Sequence, residues 1–359
     1  VAAISGTASQ FTTIAAAQGA GDNQYTLKGD AALTVTDTGT VDSGDLATIQ
    51  GMSTGFTDAT ALTTVNGTSA EILALLLLEG TTGNKVGLDG DFKMTVSDGT
   101  VNVADVNTMG AFATTGEITA TISDTNIATL DDLTTTSADQ LTITVATASV
   151  TAAALTTVAG ATGLNVTATG VETVTGTATQ MDALLLVEGG TGDKVNLDSD
   201  YNITISGSNA TVTQANAYGT ATDGVVTASI SNTAIADLDD LTTGSADQLT
   251  ITVASTSATA AQLTTVAGAT GLNVTATAVE TVTGTATQMD ALLLVEGGTG
   301  DKVNLDADYN ITISGSNATV TQANAYGAAT DGVVTATISD QTIAALDDLT
   351  TGSADQLTV

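Results

Sequence analysis

The stretch Val174-Thr-Gly-Thr-Ala-Thr-Gln-Met-Asp-Ala-Leu-Leu-Leu-Val-Glu-Gly-Gly-Thr-Gly-Asp193 organises the whole chain, because it occurs more than once. It returns at 282–301 without a single change. Diverged versions begin at Val65 and, more faintly, at Ile4. Four copies of one segment predict a repeat protein, in which each unit is stabilised largely by contacts with its neighbours.

The distances between the copies indicate a building block that is shorter than a domain. The two identical copies begin 108 residues apart, Val65 precedes Val174 by 109 residues, and Ile4 precedes Val65 by only 61. Each long unit contains four segments in which a strand-like run is followed by a compact apolar stretch. In one long unit these segments are 166–194, 195–225, 226–248 and 249–273.

We therefore predict a mainly β fold, a parallel β-solenoid with a short helix or 3₁₀ turn in most coils. The alternative is a string of immunoglobulin-like β-sandwiches, whose size of about 100 residues matches the long repeat. The short first spacing favours the solenoid, because a solenoid can lose whole coils without losing its core. The predicted organisation is one continuous solenoid over 1–359, with a short two-coil unit at 1–61, a divergent four-coil repeat at 62–170, a repeat at 171–278 and an incomplete repeat at 279–359.

The opening stretch also predicts a local structure. Thr179 and Asp182, three residues apart, form a pair that resembles a capping box, and Gly189 supplies a C-terminal stop. We expect a helix of about two turns between them. The run 235–241 carries Ile or Leu at every third position, which predicts a single tight or 3₁₀-like turn.

Composition excludes several classes of function. The chain of 359 residues has 39 acidic residues against five basic ones, a formal net charge of −34, and no His or Cys. Such a charge repels nucleic acid and anionic membranes, and no apolar run reaches the ~18 residues of a membrane span. Nucleophilic triads, thiol catalysis and zinc sites all need residue types that are missing. We expect a protein that is not an enzyme, binds no nucleic acid and does not insert into a membrane.

The acidic corner after the repeated helix is the candidate metal site, because carboxylates and backbone carbonyls supply the oxygen ligands that calcium prefers. Asp198 and Asp200 lie two residues apart, so on a strand they would point the same way. The corner resembles the glycine-rich calcium nonapeptide of hemolysin-type repeat proteins, although Asp193 comes one position early. The plain alternative is a solvated turn in which Lys194 neutralises a neighbouring carboxylate. The candidate calcium ligands are Glu188, Asp193, Asp198, Asp200, Glu296, Asp301, Asp306 and Asp308.

Three phrases, at 122–133, 152–163 and 174–181, resemble the repeats of giant cell-surface proteins of marine cyanobacteria, including the swimming-motility type. The resemblance implies an extracellular structural or adhesive role. We expect part of a filament, a surface layer or an adhesin stalk. The alternative is a calcium-dependent adhesin that binds glycans or cell surfaces through its acidic corners. Both ends of the chain fall inside repeats, so we also expect self-association end to end or with further repeats of the same protein.

Overall fold

The computed structural model describes residues 3–19, 27, 29–80, 85–188, 194–296 and 302–359. In this part of the chain short parallel strands alternate with short helices, with roughly 34% of residues in helix and 25% in strand. The chain forms two compact units. The first comprises Val1–Val171 and Leu186–Asp198, and the second comprises Glu172–Leu185 and Ser199–Val359.

Thirteen helices occur in the described ranges, and each follows one or two short strands. They are α1 (Ala8–Gly19), α2 (Ser43–Gly51), α3 (Ser69–Gly80), α4 (Val103–Phe112), α5 (Ile127–Leu130), α6 (Ala152–Gly160), α7 (Ala178–Glu188), α8 (Val212–Ala221), α9 (Ile235–Leu238), α10 (Ala260–Gly268), α11 (Ala286–Glu296), α12 (Val320–Ala329) and α13 (Ile343–Leu346).

The strands are only two to five residues long. They are β1 (Ala3–Gly6), β2 (Ala32–Val35), β3 (Thr40–Asp42), β4 (Thr57–Asp58), β5 (Thr64–Gly67), β6 (Val86–Gly87), β7 (Lys93–Val96), β8 (Ile118–Thr121), β9 (Gln140–Thr144), β10 (Ser149–Thr151), β11 (Val166–Ala168), β12 (Thr173–Gly176), β13 (Val195–Leu197), β14 (Asn202–Ile205), β15 (Val226–Ser229), β16 (Gln248–Thr250), β17 (Ser257–Thr259), β18 (Val274–Thr275), β19 (Thr281–Gly284), β20 (Val303–Asn304), β21 (Asn310–Ile313), β22 (Val334–Thr337) and β23 (Gln356–Thr358).

The core of the first unit lies between its sheets and its helices. The strands pair in the orders β1-β2-β4-β6 and β3-β5-β7-β8-β9-β11-β13. Parallel register places Val65, Met94 and Ile118 in one buried row. Successive helices α1 to α4 pack on one another. Because side chains alternate across a strand, the polar residues between these apolar ones face outward.

The second unit repeats this arrangement. Its strands pair in the orders β12-β14-β15-β16, β17-β19-β21-β22-β23 and β18-β20. Val282, Ile311 and Val334 form a buried row, while Thr283 and Thr312 beside them point outward and are half-buried. Most side chains of the core are small aliphatic groups, although four tyrosines, Tyr201, Tyr218, Tyr309 and Tyr326, are also fully buried. Helices α9, α10 and α11 pack in succession.

The prediction of a mainly β solenoid is supported only in part: the strands are parallel, but the helices hold more residues than the strands, so the fold is not clearly mainly β. The apolar stretches after the strands extend into helices of up to 12 residues, whereas most strands stop after three or four. The immunoglobulin-like alternative is wrong. Such sandwiches are antiparallel, and the strand pairs within the described residues are parallel.

The coil boundaries agree with the segments read from the sequence. Strands β11, β13 and β15 begin at 166, 195 and 226, which are the predicted segment starts. Parallel strands joined through a helix fit a solenoid. The division into units at 61, 170 and 278 stays a prediction.

The repeated helix differs in detail from its prediction. Helix α7 spans 11 residues, about three turns, and begins one residue before Thr179. Its cap is Thr177, whose Oγ1 accepts from the Gln180 N–H (3.3 Å) while Gln180 Oε1 accepts from the Thr177 N–H (2.8 Å). The predicted pair of Thr179 and Asp182 is therefore wrong. The proposed stop at Gly189 lies outside the described residues.

The short helix α9 follows its prediction more closely. The Leu238 N–H donates to the Ala234 carbonyl in the α-helical pattern, and the Leu241 N–H then donates to the Leu238 carbonyl in the 3₁₀ pattern. One helical turn that tightens at its end is what the three-residue spacing predicted.

Candidate functional site

Six of the eight predicted calcium ligands lie in the described part of the chain, and Asp193 and Asp301 lie outside it. Glu188 and Glu296 are the last residues of α7 and α11. Four exposed aspartates lie beyond the ends of β13 and β20, in turns rather than on strands; these are Asp198, Asp200, Asp306 and Asp308. The expectation that the members of each pair point the same way on a strand is therefore wrong, since both strands end earlier.

The structure brings Asp306 and Asp308 to one polar cleft of about 420 Å³, together with Glu280 and Asn310. Glu280 precedes β19, and its carbonyl accepts from the Asn310 N–H at 2.8 Å. The sequence analysis missed Glu280, because only the register between β19 and β21 places it beside residues 26 to 30 positions away.

Three or more acidic side chains do not converge into a metal-binding group anywhere among the described residues. Asp306 Oδ1 instead accepts from the neighbouring Ala307 N–H at 2.9 Å. Because Asp193 and Asp301 lie outside the described residues, calcium binding stays a prediction.

Glu296 has a contact that the sequence analysis did not foresee. The Tyr309 side chain is fully buried, and burial together with the charge of the Glu296 carboxylate raises the pKa of its hydroxyl. A hydrogen bond with the Glu296 side chain is the third and smallest cause of this raised pKa. Glu296, a candidate calcium ligand, therefore also interacts with a buried side chain in the core of the second unit.

The lysine of each acidic corner binds backbone. Lys194 Nζ donates to the Thr162 carbonyl (3.0 Å) in the first unit, and Lys302 Nζ donates to the Thr270 carbonyl (3.1 Å) in the second. Each carbonyl lies just after a helix C-terminus, where a cation is favourable. We had expected the lysine to neutralise a neighbouring carboxylate. Instead, its ammonium group joins two successive strand–helix segments.

The most complete polar cluster links α11 to α12. The Tyr326 hydroxyl lies 2.8 Å from Asp290 Oδ1 and 2.9 Å from the Ala286 carbonyl, and Gln322 Nε2 donates to Asp290 Oδ2 at 2.7 Å. Burial first, and then Asp290, raise the pKa of the Tyr326 hydroxyl. Every member has a partner, so the cluster holds the two helices together and leaves no reactive group for chemistry.

The same cluster recurs once in the second unit, where Tyr218 and Gln214 bind Asp182 at 2.9 and 2.7 Å. Sequence reasoning assigned Asp182 to a helix cap and overlooked its real partners. A signal was present, because the divergent repeat has Leu73 and Met109 at the places of Asp182 and Tyr218. An acidic residue and a tyrosine that are replaced together indicate contact.

The described residues contain one ion pair, Lys93 with Glu117 at 2.9 Å, which is exposed and contributes about 1 kcal/mol or less. None of the described helices is long and apolar enough to cross a membrane.

Comparison with known proteins gives no relative: no family model, curated protein or solved structure matches this chain.

Proposed function

We propose that this chain is an extracellular structural repeat protein, a parallel solenoid that forms part of a filament, a surface layer or an adhesin stalk. The repeats would supply length and a regular surface rather than a reaction, and we expect no catalytic activity. Its partners would be further repeats of the same protein or other copies of the chain.

One observation carries this proposal: buried and half-buried polar groups of the second unit connect successive strand–helix segments. Tyr326 and Gln322 bind Asp290 on the preceding long helix, and Lys302 binds the Thr270 carbonyl. Groups that are satisfied by neighbouring segments act as scaffold.

The location outside the cell is supported by composition and by resemblance. A net charge of −34 on 359 residues is better tolerated where salt screens repulsion. The phrases at 122–133, 152–163 and 174–181 resemble cell-surface repeats of marine cyanobacteria. Both features favour a surface protein of a saline environment.

A calcium-dependent adhesin is the second proposal. It is favoured by the polar cleft at Glu280, Asp306 and Asp308, whose carboxylates suit a hard cation such as calcium. In this proposal the acidic corners would bind glycans or cell surfaces through the ion.

A lengthened chain tests the structural proposal. Inserting a second copy of 171–278 adds four strand–helix segments, which should increase the largest dimension by about 19 Å at ~4.8 Å per parallel strand. Small-angle X-ray scattering measures this increase against a control with a Gly/Ser insert of equal length. An inserted repeat that leaves the largest dimension unchanged, or that adds a separately tumbling body, contradicts the proposal.

A further inference from the structure

Three long helices inside the chain carry a leucine on their outer surface. Leu77 in α3 is 66% exposed, and Leu186 in α7 and Leu294 in α11 are each 79% exposed. The three leucines occupy one position of the repeat, 109 and 108 residues apart. In the same helices Leu184 and Leu292 are fully buried, so the core does not use every leucine that these helices contain.

Small uncharged residues continue each exposed leucine into a stripe along its helix. In α7 the stripe consists of Thr179, Ala183 and Leu186, which share one helical face at positions i, i+4 and i+7. The corresponding residues are Ala70, Ala74 and Leu77 in α3, and Thr287, Ala291 and Leu294 in α11. We call these three faces the leucine stripes. Eight of their nine residues are exposed, and Ala291 is half-buried.

The leucine stripes carry no charge, although the chain has 39 acidic residues. In α11 the two acidic side chains are engaged elsewhere, since Asp290 accepts a hydrogen bond from Tyr326 and Glu296 interacts with the buried Tyr309. An uncharged surface with an exposed leucine, repeated three times in so acidic a chain, indicates a contact surface.

Each stripe is complementary in shape to a second copy of itself. Its first two residues are small and its last residue is large. When two stripes meet antiparallel about a two-fold axis, the leucine of each copy lies against the small residues of the other. The small residues also allow the two helices to approach closely.

Charge narrows the choice of partner. Two chains with a net charge of −34 repel each other, as do this chain and an anionic membrane. Two copies can therefore approach best through surfaces on which no carboxylate faces another. The leucine stripes are surfaces of this kind, and any further copy of the chain presents the same ones.

We propose that the leucine stripes are the contact through which two copies of this chain associate side by side, helix against antiparallel helix. The inference rests on the proposed structural function and specifies a contact within it. A stripe about 10 Å long is far smaller than a typical stable interface of ~800 Å² per partner. Association should therefore be weak for one pair of stripes and should strengthen as repeats are added, because linked contacts act together.

Sedimentation velocity from about 1 µM to 1 mM protein, at ~0.5 M NaCl to screen repulsion, measures the association. We expect a reversible dimer for the original chain. The triple variant, Leu77→Gln with Leu186→Gln and Leu294→Gln, should dimerise at least about tenfold more weakly, because the burial of large aliphatic side chains is lost. Its melting temperature should be unchanged, since all three leucines are exposed.

The matched control replaces Leu164 and Leu272 by Gln. These leucines are 37% and 39% exposed and lie outside the helices, so their substitution should leave the dimer unchanged. A chain with a second copy of 171–278 gains one stripe and should associate more tightly than the original.

Cross-linking tests the antiparallel arrangement, because the chain has no native cysteine. Cysteines at the stripe centres should form disulfides between copies; these variants are Ala74→Cys, Ala183→Cys and Ala291→Cys combined. Cysteines at the first stripe positions should not, because in an antiparallel pair they face the leucine ends. Those variants are Ala70→Cys, Thr179→Cys and Thr287→Cys combined. Disulfides at the first positions would show a parallel pair and contradict the proposal.

Two further outcomes overturn the proposal. One is a chain that stays monomeric over the whole concentration range, or a dimer that the triple variant retains. The other is a monomeric chain that binds phosphatidylcholine vesicles while the triple variant does not, because a lipid surface is then the occupant. Scattering from an inserted repeat can be measured on the triple variant, so failure here leaves the structural proposal standing.

Discussion

Asp290 and Leu73 occupy the same place on the repeated long helix, and Tyr326 and Met109 occupy the same place on the helix that follows. Between α11 and α12, Asp290 and Tyr326 are joined by a hydrogen bond. Between α3 and α4, the corresponding residues are both apolar. A buried polar group is stabilising only while its partners are present, whereas replacing both partners by apolar groups can be nearly neutral. The two repeats thus present two chemical solutions for one contact between helices.

A double-mutant cycle tests this interpretation. Tyr326→Phe alone should lower the free energy of unfolding by about 1–3 kcal/mol, because the hydrogen bond to a carboxylate is lost and Asp290 stays half-buried. Asp290→Leu alone should cost a similar amount. The double substitution should cost less than the sum, with a coupling of at least about 0.5 kcal/mol. Urea denaturation measures all three, and strictly additive effects would show that the pair does not act as a unit.

At the scale of elements, glycines in the turns before the strands allow the backbone to pass close to the preceding segment. A Cβ at Gly332, just before β22, would overlap the backbone carbonyls of Asp308 and Tyr309. The Thr330 hydroxyl donates to the same Tyr309 carbonyl. Gly224 and Gly116 have corresponding contacts with the preceding segment. Close backbone approach therefore sets the spacing of successive segments, and only glycine allows it.

Substitution of Gly332 should lower the stability of the protein. Gly332→Ala should destabilise by about 1–3 kcal/mol, because the added methyl group meets main-chain atoms that cannot move aside cheaply. Gly268→Ala is the matched control, since nothing lies within 4 Å of a Cβ at the end of α10. The control should be neutral or stabilising by up to about 1 kcal/mol. Equal melting temperatures for the two variants would contradict the assigned role of Gly332.

For the molecule as a whole, repulsion between carboxylates opposes folding. The net charge is −34, and two lysines, Lys194 and Lys302, bind backbone carbonyls instead of acidic side chains. Stability must therefore come from burial of aliphatic and aromatic side chains and from repeated hydrogen bonds, which add up from segment to segment.

Salt should therefore raise the melting temperature. Between about 0.02 and 0.5 M NaCl we expect a steady increase, because the Debye length falls from above 20 Å to below 5 Å. Calcium, magnesium and chelator are then compared at equal ionic strength. A calcium-specific increase that Asp306→Asn and Asp308→Asn remove favours the adhesin proposal, whereas equal effects of the two divalent ions argue against it. A melting temperature that is independent of NaCl would contradict the role assigned to charge repulsion.

Much of the local pattern was predictable because it depends on neighbours in the chain. The starts of β11, β13 and β15 follow from the repeat arithmetic, and the tight turn at 235–241 follows from its three-residue spacing. The helix cap at Thr177 was misassigned, because several threonines in the repeat satisfy the same local pattern and only the partners of Asp182 distinguish them.

By itself the sequence determined the repeat length, the alternation of strand and helix, and the absence of the residue types that most catalysis and zinc binding require. Only the tertiary structure shows that more residues lie in helices than in strands. It also decides that Glu280 joins Asp306 and Asp308 at one cleft, and that Tyr326 pairs with Asp290. These contacts join residues 26 to 36 positions apart. Their existence depends on strand register, which arises from packing and is not encoded in any local stretch.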